Sequence, residues 1–383
     1  PQGGTMAFIS KGIVAAACAL LVGIAQAADI RIGLLLSQSG PLSSYGVPMK
    51  AAAEYAAKVV NDAGGIDGNR LVVITEDDAS NPTAFLNGLN RLIDEQHVVA
   101  LVGPITTGFY QAGAPVVKEK TVPMISPTAT APNLTAGNPF AFRNNPSEDT
   151  NIPILLKQIR AKVPASKTMA IIYDNKQAAD KIIGTLYESL APKNGWTVQG
   201  VTTFLSGQLN YGDVVARTLK GNPDLVAAAA HAEDAANVAR ELRRQGYRGL
   251  ILGGTPTVSQ DYIKIAGDAA NDTFVVVPYY FGAKTPQNER FVGGYAKAGG
   301  RATPDPWEAS TYECIAMLAQ ALREAKASGD GSRVAEERTA VQRQLAALRD
   351  FPGLIGPISF DAERVAVKPA VIIHVNGGKW EAQ

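Results

Sequence analysis

The chain has 383 residues, of which 46% are hydrophobic and 19% are charged, and its 36 basic and 35 acidic side chains leave a formal net charge of +1. So high an apolar fraction excludes a disordered chain and provides a substantial core for two or three domains. A charge near zero argues against nucleic acid as the main partner, because phosphate recognition usually requires a clustered basic surplus.

The start of the chain carries the pattern of a secretory signal peptide. Residues 1–5 are typical of a cloning remnant, Lys11 is a positively charged flank, residues 13–24 are apolar, and residues 25–27 (AQA) fit a small-x-small cleavage site. The apolar segment is shorter than the ~20 residues that span a bilayer, which argues against a membrane anchor. We predict export to the periplasm with cleavage after residue 27; acylation of Cys18 stays open as an alternative.

Short β-rich runs then alternate with amphipathic stretches as far as residue 125. This alternation predicts strands over 30–36, 71–76, 98–102 and 122–125, and helices over 48–63 and 82–96. Strands of this length between longer helices indicate parallel βαβ units with helices on both faces of a sheet.

The same alternation begins again at residue 169. It predicts strands over 169–173, 198–204, 225–230, 250–252 and 274–277, and helices over 178–194, 211–220 and 234–245. Beyond Pro278, helices over 306–328 and 333–348 precede strands over 358–360 and 371–375. We therefore predict an α/β fold of two doubly wound parallel-sheet lobes, and the polar segment 142–147 is typical of a crossover between them.

Residues that usually carry catalysis are absent from the sequence or scattered along it. The two cysteines, Cys18 and Cys314, exclude a disulfide framework, and the three histidines do not form an HExxH helix. No GxSxG, GxxxxGK[ST] or GxGxxG motif occurs at the expected place. We therefore expect no enzyme, no cofactor and no metal, and we expect a ligand in the cleft between the two sheets.

A series of ordered motifs resembles the branched-chain amino-acid (Leu/Ile/Val) binding family of periplasmic solute-binding proteins, which have the type I periplasmic binding fold. The motifs are IGLLLSQSGP at 32–41 with Tyr45-Gly46, NDAGGIDG at 61–68, EDDASNP at 76–82, VGP at 102–104, ISPTATAP at 125–132 and IGPISFD at 355–361. The resemblance implies a bilobal receptor that delivers a small solute to the permease subunits of an ABC importer.

The resemblance also implies where the lobes divide. Three crossovers connect two lobes in the family. We expect a first lobe of residues 28–147 and 279–354 and a second lobe of residues 148–278 and 355–383, with residues 1–27 outside the fold. The resemblance indicates a monomer.

In the family, hydroxyl groups and backbone amides of the first lobe hold the carboxylate of the ligand. Thr107 and Thr130 match the hydroxyl donors, and Thr128 matches a residue that acts through its backbone. A hydrogen bond to a charged group contributes about 1.5–3 kcal/mol, so a few such donors can hold a carboxylate without a cation. The alternative, that these threonines only bond their own turns, stays open.

At the other end of the ligand this chain departs from the family. Thr255, in GGTP at 253–256, stands where amino-acid binders have an acidic residue for the ligand ammonium, and His231 stands where they have a tyrosine. A buried ammonium without a partner costs about 3–5 kcal/mol. We therefore favour a carboxylate-bearing ligand that is an aromatic or 2-oxo acid, with a branched-chain or other hydrophobic amino acid as the alternative.

Aromatic residues complete the predicted site. Tyr45 and Trp307 match positions that line the side-chain pocket of the family, and Tyr279 lies at the second crossover, where it could face the cleft. The alternative that Tyr45 and Trp307 belong to the core stays open, as does a surface position for His231 instead of a donor role toward the ligand. A ligand-sensing module and an enzyme with an unrecognised cleft remain alternative functions.

Overall fold

The computed structural model describes residues 28–383, so the predicted leader lies outside the described residues. Five parallel strands form the sheet of the first lobe in the order β2-β1-β3-β4-β5: β1 (Asp29–Leu36), β2 (Arg70–Asp77), β3 (Ala100–Val102), β4 (Met124–Ser126) and β5 (Ala141–Arg143). Three helices connect these strands: α1 (Ser43–Asp62), α2 (Pro82–Asn90) and α3 (Thr107–Glu119).

The second lobe repeats this architecture. Five further parallel strands are β6 (Thr168–Asp174), β7 (Thr197–Phe204), β8 (Leu225–Ala229), β9 (Leu250–Leu252) and β10 (Thr273–Val277). The helices of this part are α4 (Glu148–Lys162), α5 (Ala178–Leu190), α6 (Gly212–Thr218), α7 (Ala232–Arg244) and α8 (Gln260–Ala266). The predicted α/β fold with two parallel-sheet lobes is confirmed.

The chain then returns to the first lobe and finally to the second. It forms α9 (Pro286–Lys297), α10 (Pro306–Glu324) and α11 (Val334–Ala347), then a small antiparallel sheet of β11 (Phe351–Pro352), β12 (Pro357–Phe360) and β13 (Ala366–Val367). The last strands, β14 (Val371–Asn376) and β15 (Lys379–Ala382), add antiparallel to β10, which gives the order β15-β14-β10-β9-β8-β6-β7.

The strand pairings place the last change of lobe later than residue 355, where the sequence analysis set it. Arg143 of β5 forms a bridge with Val365, and the ring of Phe142 lies edge-on to that of Phe360, with ring centroids 5.4 Å apart. Because these contacts hold β12 and β13 against the first lobe, the crossover into the second lobe follows Val367.

Some helices differ from the prediction because proline and glycine are poor guides to helix ends. Helix α1 begins at Ser43, and Pro48 lies within it, where it costs one intrahelical hydrogen bond. Helix α3 was not predicted, since Gly108, Gly113 and Pro115 interrupt its apolar pattern. This helix begins at Thr107, which is one of the predicted site residues.

A close approach of backbone fixes the start of α1 beside β1. A Cβ atom on Gly46 would lie 1.8 Å from the carbonyl oxygen of Ser37, so only glycine fits there. This contact sets the neighbouring Tyr45 at the edge of the cleft. Within residues 28–383, no helix has the length and apolar character to cross a bilayer.

Candidate functional site

A small cavity of about 30 Å³ lies between the two lobes. Six of the eight predicted site residues line it, and four further residues complete its wall: Tyr45, Thr107, Thr128, Thr130, His231 and Trp307, together with Ile105, Thr106, Ala179 and Pro256. Larger depressions, of about 640 and 550 Å³, lie elsewhere and contain none of the predicted site residues. We therefore take the cavity between the lobes as the candidate ligand site.

Two predicted residues do not reach the cavity. Thr255 is fully buried, and both its hydroxyl and its backbone amide donate to the carboxylate of Glu148, the amide over 3.1 Å. Tyr279 packs edge-on against Phe291, with ring centroids 6.2 Å apart, inside a separate apolar cluster. The expectation that Tyr279 faces the cleft is therefore corrected, because its ring completes a core instead.

The first lobe presents hydrogen-bond donors to the cavity. Helix α3 starts here, and the Thr106 hydroxyl caps it by accepting from the amide of Phe109 over 3.2 Å. The Thr107 hydroxyl is buried and has no hydrogen-bond partner among the described residues. Free amides and the positive end of a helix dipole favour an anion at such a helix start. This wall therefore suits a carboxylate.

The two other threonines of this wall are held by backbone contacts. The Thr128 hydroxyl donates to the carbonyl of Ile105, so its hydroxyl is already engaged. The carbonyl of Thr130 accepts from the amide of Glu148 over 3.0 Å and from the hydroxyl of Ser147 over 3.2 Å. The Thr128 hydroxyl thus connects two loops of the first lobe and does not bond its own turn, and the Thr130 carbonyl connects the wall to the start of α4.

The second lobe presents one polar side chain, His231, to the cavity. Its Nδ1 lies 2.7 Å from Oδ2 of Asp180, whose side chain is fully buried. The other carboxylate oxygen of Asp180 has no hydrogen-bond partner among the described residues. Asp180 could not be predicted from the family resemblance, which points to an acid only at position 255. Its one local signal is an acidic residue in the first turn of α5.

Burial and charge act in opposite directions on this pair. Burial raises the pKa of Asp180, and the positive charge of His231 works against that rise. For His231, burial opposes the imidazolium, yet the negative charges of Asp180, Asp174 and Asp234 outweigh it and raise the pKa above its usual value. The acidic groups around His231 therefore favour a positive charge at this end of the cavity.

A second buried acid, Glu148, was also not predicted from the sequence. It is the first residue of α4, directly after the first crossover, and is 1% exposed. Burial raises its pKa to about 7, and the hydrogen bonds from Thr255 limit the rise. The negative group that the family places at position 255 is absent, but Glu148 sits directly behind Thr255.

Tyr45 and Trp307 join the lobes across the cavity. The Tyr45 hydroxyl accepts from the amide of Ala232 over 2.8 Å and donates to the carbonyl of Pro256 over 2.9 Å. The Trp307 indole N–H donates to the carbonyl of Val258 over 2.8 Å. The structure is therefore a closed arrangement in which both aromatic residues line the cavity and are also buried.

Comparison with known proteins identifies the type of molecule. The family described as periplasmic binding protein matches residues 29–379. The Leu/Ile/Val-binding protein of Citrobacter freundii is 26% identical over 357 residues, which cover 92% of each chain.

Solved structures give the same result at the level of the fold. A branched-chain amino acid transporter substrate-binding protein of Streptococcus pneumoniae, in complex with isoleucine, is 25% identical, has a TM-score of 0.83, and is matched over 92% of this chain and 98% of its own. A solute-binding protein of an ABC transporter from Rhodopseudomonas palustris, in complex with benzoate, is 20% identical with a TM-score of 0.80, over 92% of this chain and 95% of its own. At that identity the likeness concerns the fold alone.

Proposed function

The chain belongs to the periplasmic binding protein family, and from this premise we propose that it is the solute-binding receptor of an ABC importer for a small hydrophobic amino acid. The observation that carries the proposal is the polarity of the cavity: a helix start with the unpartnered Thr107 hydroxyl at one end, and His231 with buried Asp180 at the other. An amino acid has a carboxylate and an ammonium to match these two ends. The names of relatives that bind leucine, isoleucine and valine support the same ligand class.

This proposal changes the ligand that the sequence analysis favoured. An aromatic or 2-oxo acid was favoured because position 255 carries a threonine in place of an acidic residue. Asp180 lies behind His231 at that end of the cavity and Glu148 lies behind Thr255, so buried carboxyl groups from other elements stand near the place of the missing acid. An aromatic or 2-oxo acid stays the second candidate, because no carboxylate side chain lines the cavity itself.

The size of the cavity indicates that the lobes must separate to admit a ligand. Sites for small molecules usually enclose about 300–1,000 Å³. The closed cavity of about 30 Å³ is far below that range. We therefore propose that the receptor opens at its crossovers, binds, and closes around the solute.

We further propose that the receptor acts in the periplasm. Relatives in its family are periplasmic binding proteins, and the predicted leader would direct export. In this role a monomer would present the closed lobes to the membrane permease subunits, which carry the solute across.

The proposal is tested with protein that has been unfolded and refolded to remove any ligand carried through purification. We expect leucine, isoleucine or valine to raise the melting temperature, since a ligand at 100 times its Kd adds about 2.7 kcal/mol to the free energy of unfolding. Phenylalanine, 4-methyl-2-oxopentanoate and benzoate form the comparison set, and mass spectrometry should recover each ligand unchanged. Stabilisation by benzoate alone would contradict the amino-acid assignment, and conversion of a ligand to a product would contradict a receptor.

A second expectation concerns closure. Tyr45→Phe removes the hydroxyl through which the first lobe contacts Ala232 and Pro256 of the second lobe, and separation of the lobes would break both of these hydrogen bonds. At about 0.5–1.5 kcal/mol for such a hydrogen bond, ligand affinity should fall about twofold to tenfold. Isothermal titration calorimetry measures the change. Tyr55→Phe is the matched control, because Tyr55 lies in the same helix and packs on Tyr295 away from the cavity. Equal affinities of the two variants would show that the Tyr45 hydroxyl does not stabilise the closed form.

A further inference from the structure

We infer that His231 and Asp180 form a site for one positive charge, which a proton on His231 fills when the ligand is neutral at that end and the ligand ammonium fills when it is an amino acid. The inference rests on the proposed function and deepens it. A histidine-aspartate pair then recognises the second polar group of the ligand, in place of the acidic residue that is missing at position 255. It also makes binding depend on proton exchange.

The second lobe offers the cavity only one polar side chain among the described residues. Three second-lobe residues line the cavity, and Ala179 and Pro256 offer no polar side chain. His231 does, and its Nδ1 is committed to Asp180 at 2.7 Å. Since the two ring nitrogens point in different directions, Nε2 is the ring nitrogen available to a ligand. Any polar group that the ligand directs toward the second lobe therefore meets this atom.

The second argument is electrostatic. Asp180 comes from α5, Asp174 from the end of β6 and Asp234 from α7, and all three act on His231. Asp174 accepts from the amides of Lys176 and Ser206 through one carboxylate oxygen, and Asp234 accepts from the amide of Gly207 and the hydroxyl of Tyr211. Asp180 and Asp174 each have a second carboxylate oxygen without a hydrogen-bond partner among the described residues. The three aspartates together therefore favour a positive charge on or beside the imidazole of His231.

Other charged or titratable groups also face the pair. The negative charge of Asp180 raises the pKa of Glu148 of α4, and the positive charge of Arg143 of β5 lowers it. Tyr45 of α1 lies edge-on to His231, with ring centroids 6.1 Å apart, and burial keeps the pKa of its hydroxyl far above neutrality. Tyr45 therefore does not titrate in the relevant range, whereas Glu148, with a pKa of about 7, does. The experiment must therefore distinguish the titration of Glu148 from the titration of His231.

The chemistry follows from the two protonation states of the imidazole. When His231 is neutral, Nδ1–H donates to Asp180 and the lone pair of Nε2 accepts from an ammonium. When His231 is charged, Nε2–H donates to an oxo oxygen. Two cations in one small buried space repel each other strongly, so an ammonium and the extra proton exclude one another. Binding of an amino acid to the charged form of His231 thus releases a proton to the solvent, and binding of a 2-oxo acid to the neutral form takes one up.

These two ligand classes should therefore respond to pH in opposite ways. The neutral form of His231 increases as pH rises through its raised pKa. Affinity for leucine should rise with pH, by up to about tenfold per unit below that pKa, and level off above it. Affinity for 4-methyl-2-oxopentanoate, which replaces the ammonium of leucine with an oxo group, should be constant below that pKa and fall as pH rises above it, because this ligand needs the charged form of His231.

The test is isothermal titration calorimetry of refolded protein with leucine and with 4-methyl-2-oxopentanoate, between about pH 6 and about pH 8.5. Two buffers of different protonation enthalpy report proton release or uptake directly, without any variant. We expect proton release with leucine at pH values below the pKa of His231, and proton uptake with the oxo acid at pH values above it. If neither of these ligands binds, the proposed function fails; if they bind without proton exchange, or with parallel pH profiles, the proposed function stands and this inference is overturned.

Variants identify the titrating group. His231→Gln keeps a hydrogen-bonding side chain and should remove the pH dependence for both ligands. His374→Gln is the control, because His374 lies on β14 and stacks on Phe274 away from the cavity. A pH profile that persists in His231→Gln would assign the titration to Glu148 and overturn the inference. Circular dichroism establishes that each variant is folded, and the absence of proton exchange in the two-buffer measurement on the unmodified protein would overturn the inference without any variant.

Discussion

Replacing Lys368 with methionine is expected to lower the free energy of unfolding by about 3–5 kcal/mol, because the Glu313 carboxylate then stays buried without its cation. The two side chains form an ion pair and are 1% and 2% exposed. The cost arises from removing one partner only, since a lone buried carboxylate keeps the full penalty of leaving water.

The position of this ion pair explains why the receptor would retain it. Lys368 follows β13 at the last crossover, and Glu313 belongs to α10 of the first lobe. The same carboxylate accepts from the side-chain amide of Asn144, at the first crossover, over 2.9 Å, and from the backbone amide of Leu354 over 2.9 Å. One buried carboxylate thus fixes two of the segments about which the lobes would move.

Urea denaturation followed by circular dichroism measures the effect of Lys368→Met. Lys58→Met is the matched control, since Lys58 forms an ion pair with Asp62 in which the side chains are 64% and 63% exposed, and such pairs contribute little. The double variant Lys368→Met/Glu313→Gln should recover part of the lost stability, because it removes the unpaired charge. A loss no greater than that of Lys58→Met would mean that the buried pair is not a structural element of the hinge.

The fold could be predicted from the sequence because its strands are short apolar runs between longer helices. The run from Leu225 onward, for example, forms a fully buried central strand, as its composition predicts. Helices α3 and α4 could not be predicted in the same way, since Gly113, Pro115 and Pro153 lie inside them and are tolerated only because tertiary packing outweighs local propensity.

The two ends of the site differ in how far the sequence reveals them. The carboxylate end lies in contiguous motifs, so Thr107, Thr128 and Thr130 could be named from the resemblance and do line the cavity. The other end depends on contacts between distant residues. Asp180 is 51 residues from His231, and Glu148 is 107 residues from Thr255, so no local pattern connects them.

Tyr279 shows the limit of reasoning from residue type. An aromatic residue beside a crossover fits a cleft and a core equally well. Packing decides between them, and the ring of Tyr279 lies against Phe291.

Thr107→Val is expected to weaken ligand affinity about tenfold to a hundredfold while leaving the stability of the free protein unchanged or slightly higher. The Thr107 hydroxyl is buried and has no partner among the described residues, so in the absence of ligand it contributes only a desolvation cost. With a carboxylate present it becomes a donor to a charged group, which is worth about 1.5–3 kcal/mol. Valine keeps the shape of the side chain and removes only this donor.

The opposite signs of these two effects distinguish a ligand contact from a structural role. Calorimetric titration with leucine measures affinity, and the melting temperature of refolded protein without ligand measures stability. Thr107→Ser, which retains the hydroxyl, is the control and should bind within a few-fold of the unmodified protein. If Thr107→Val lowered the melting temperature and the affinity together, the hydroxyl would be part of the scaffold of α3, and the carboxylate would have to be held by the backbone amides at the start of that helix alone.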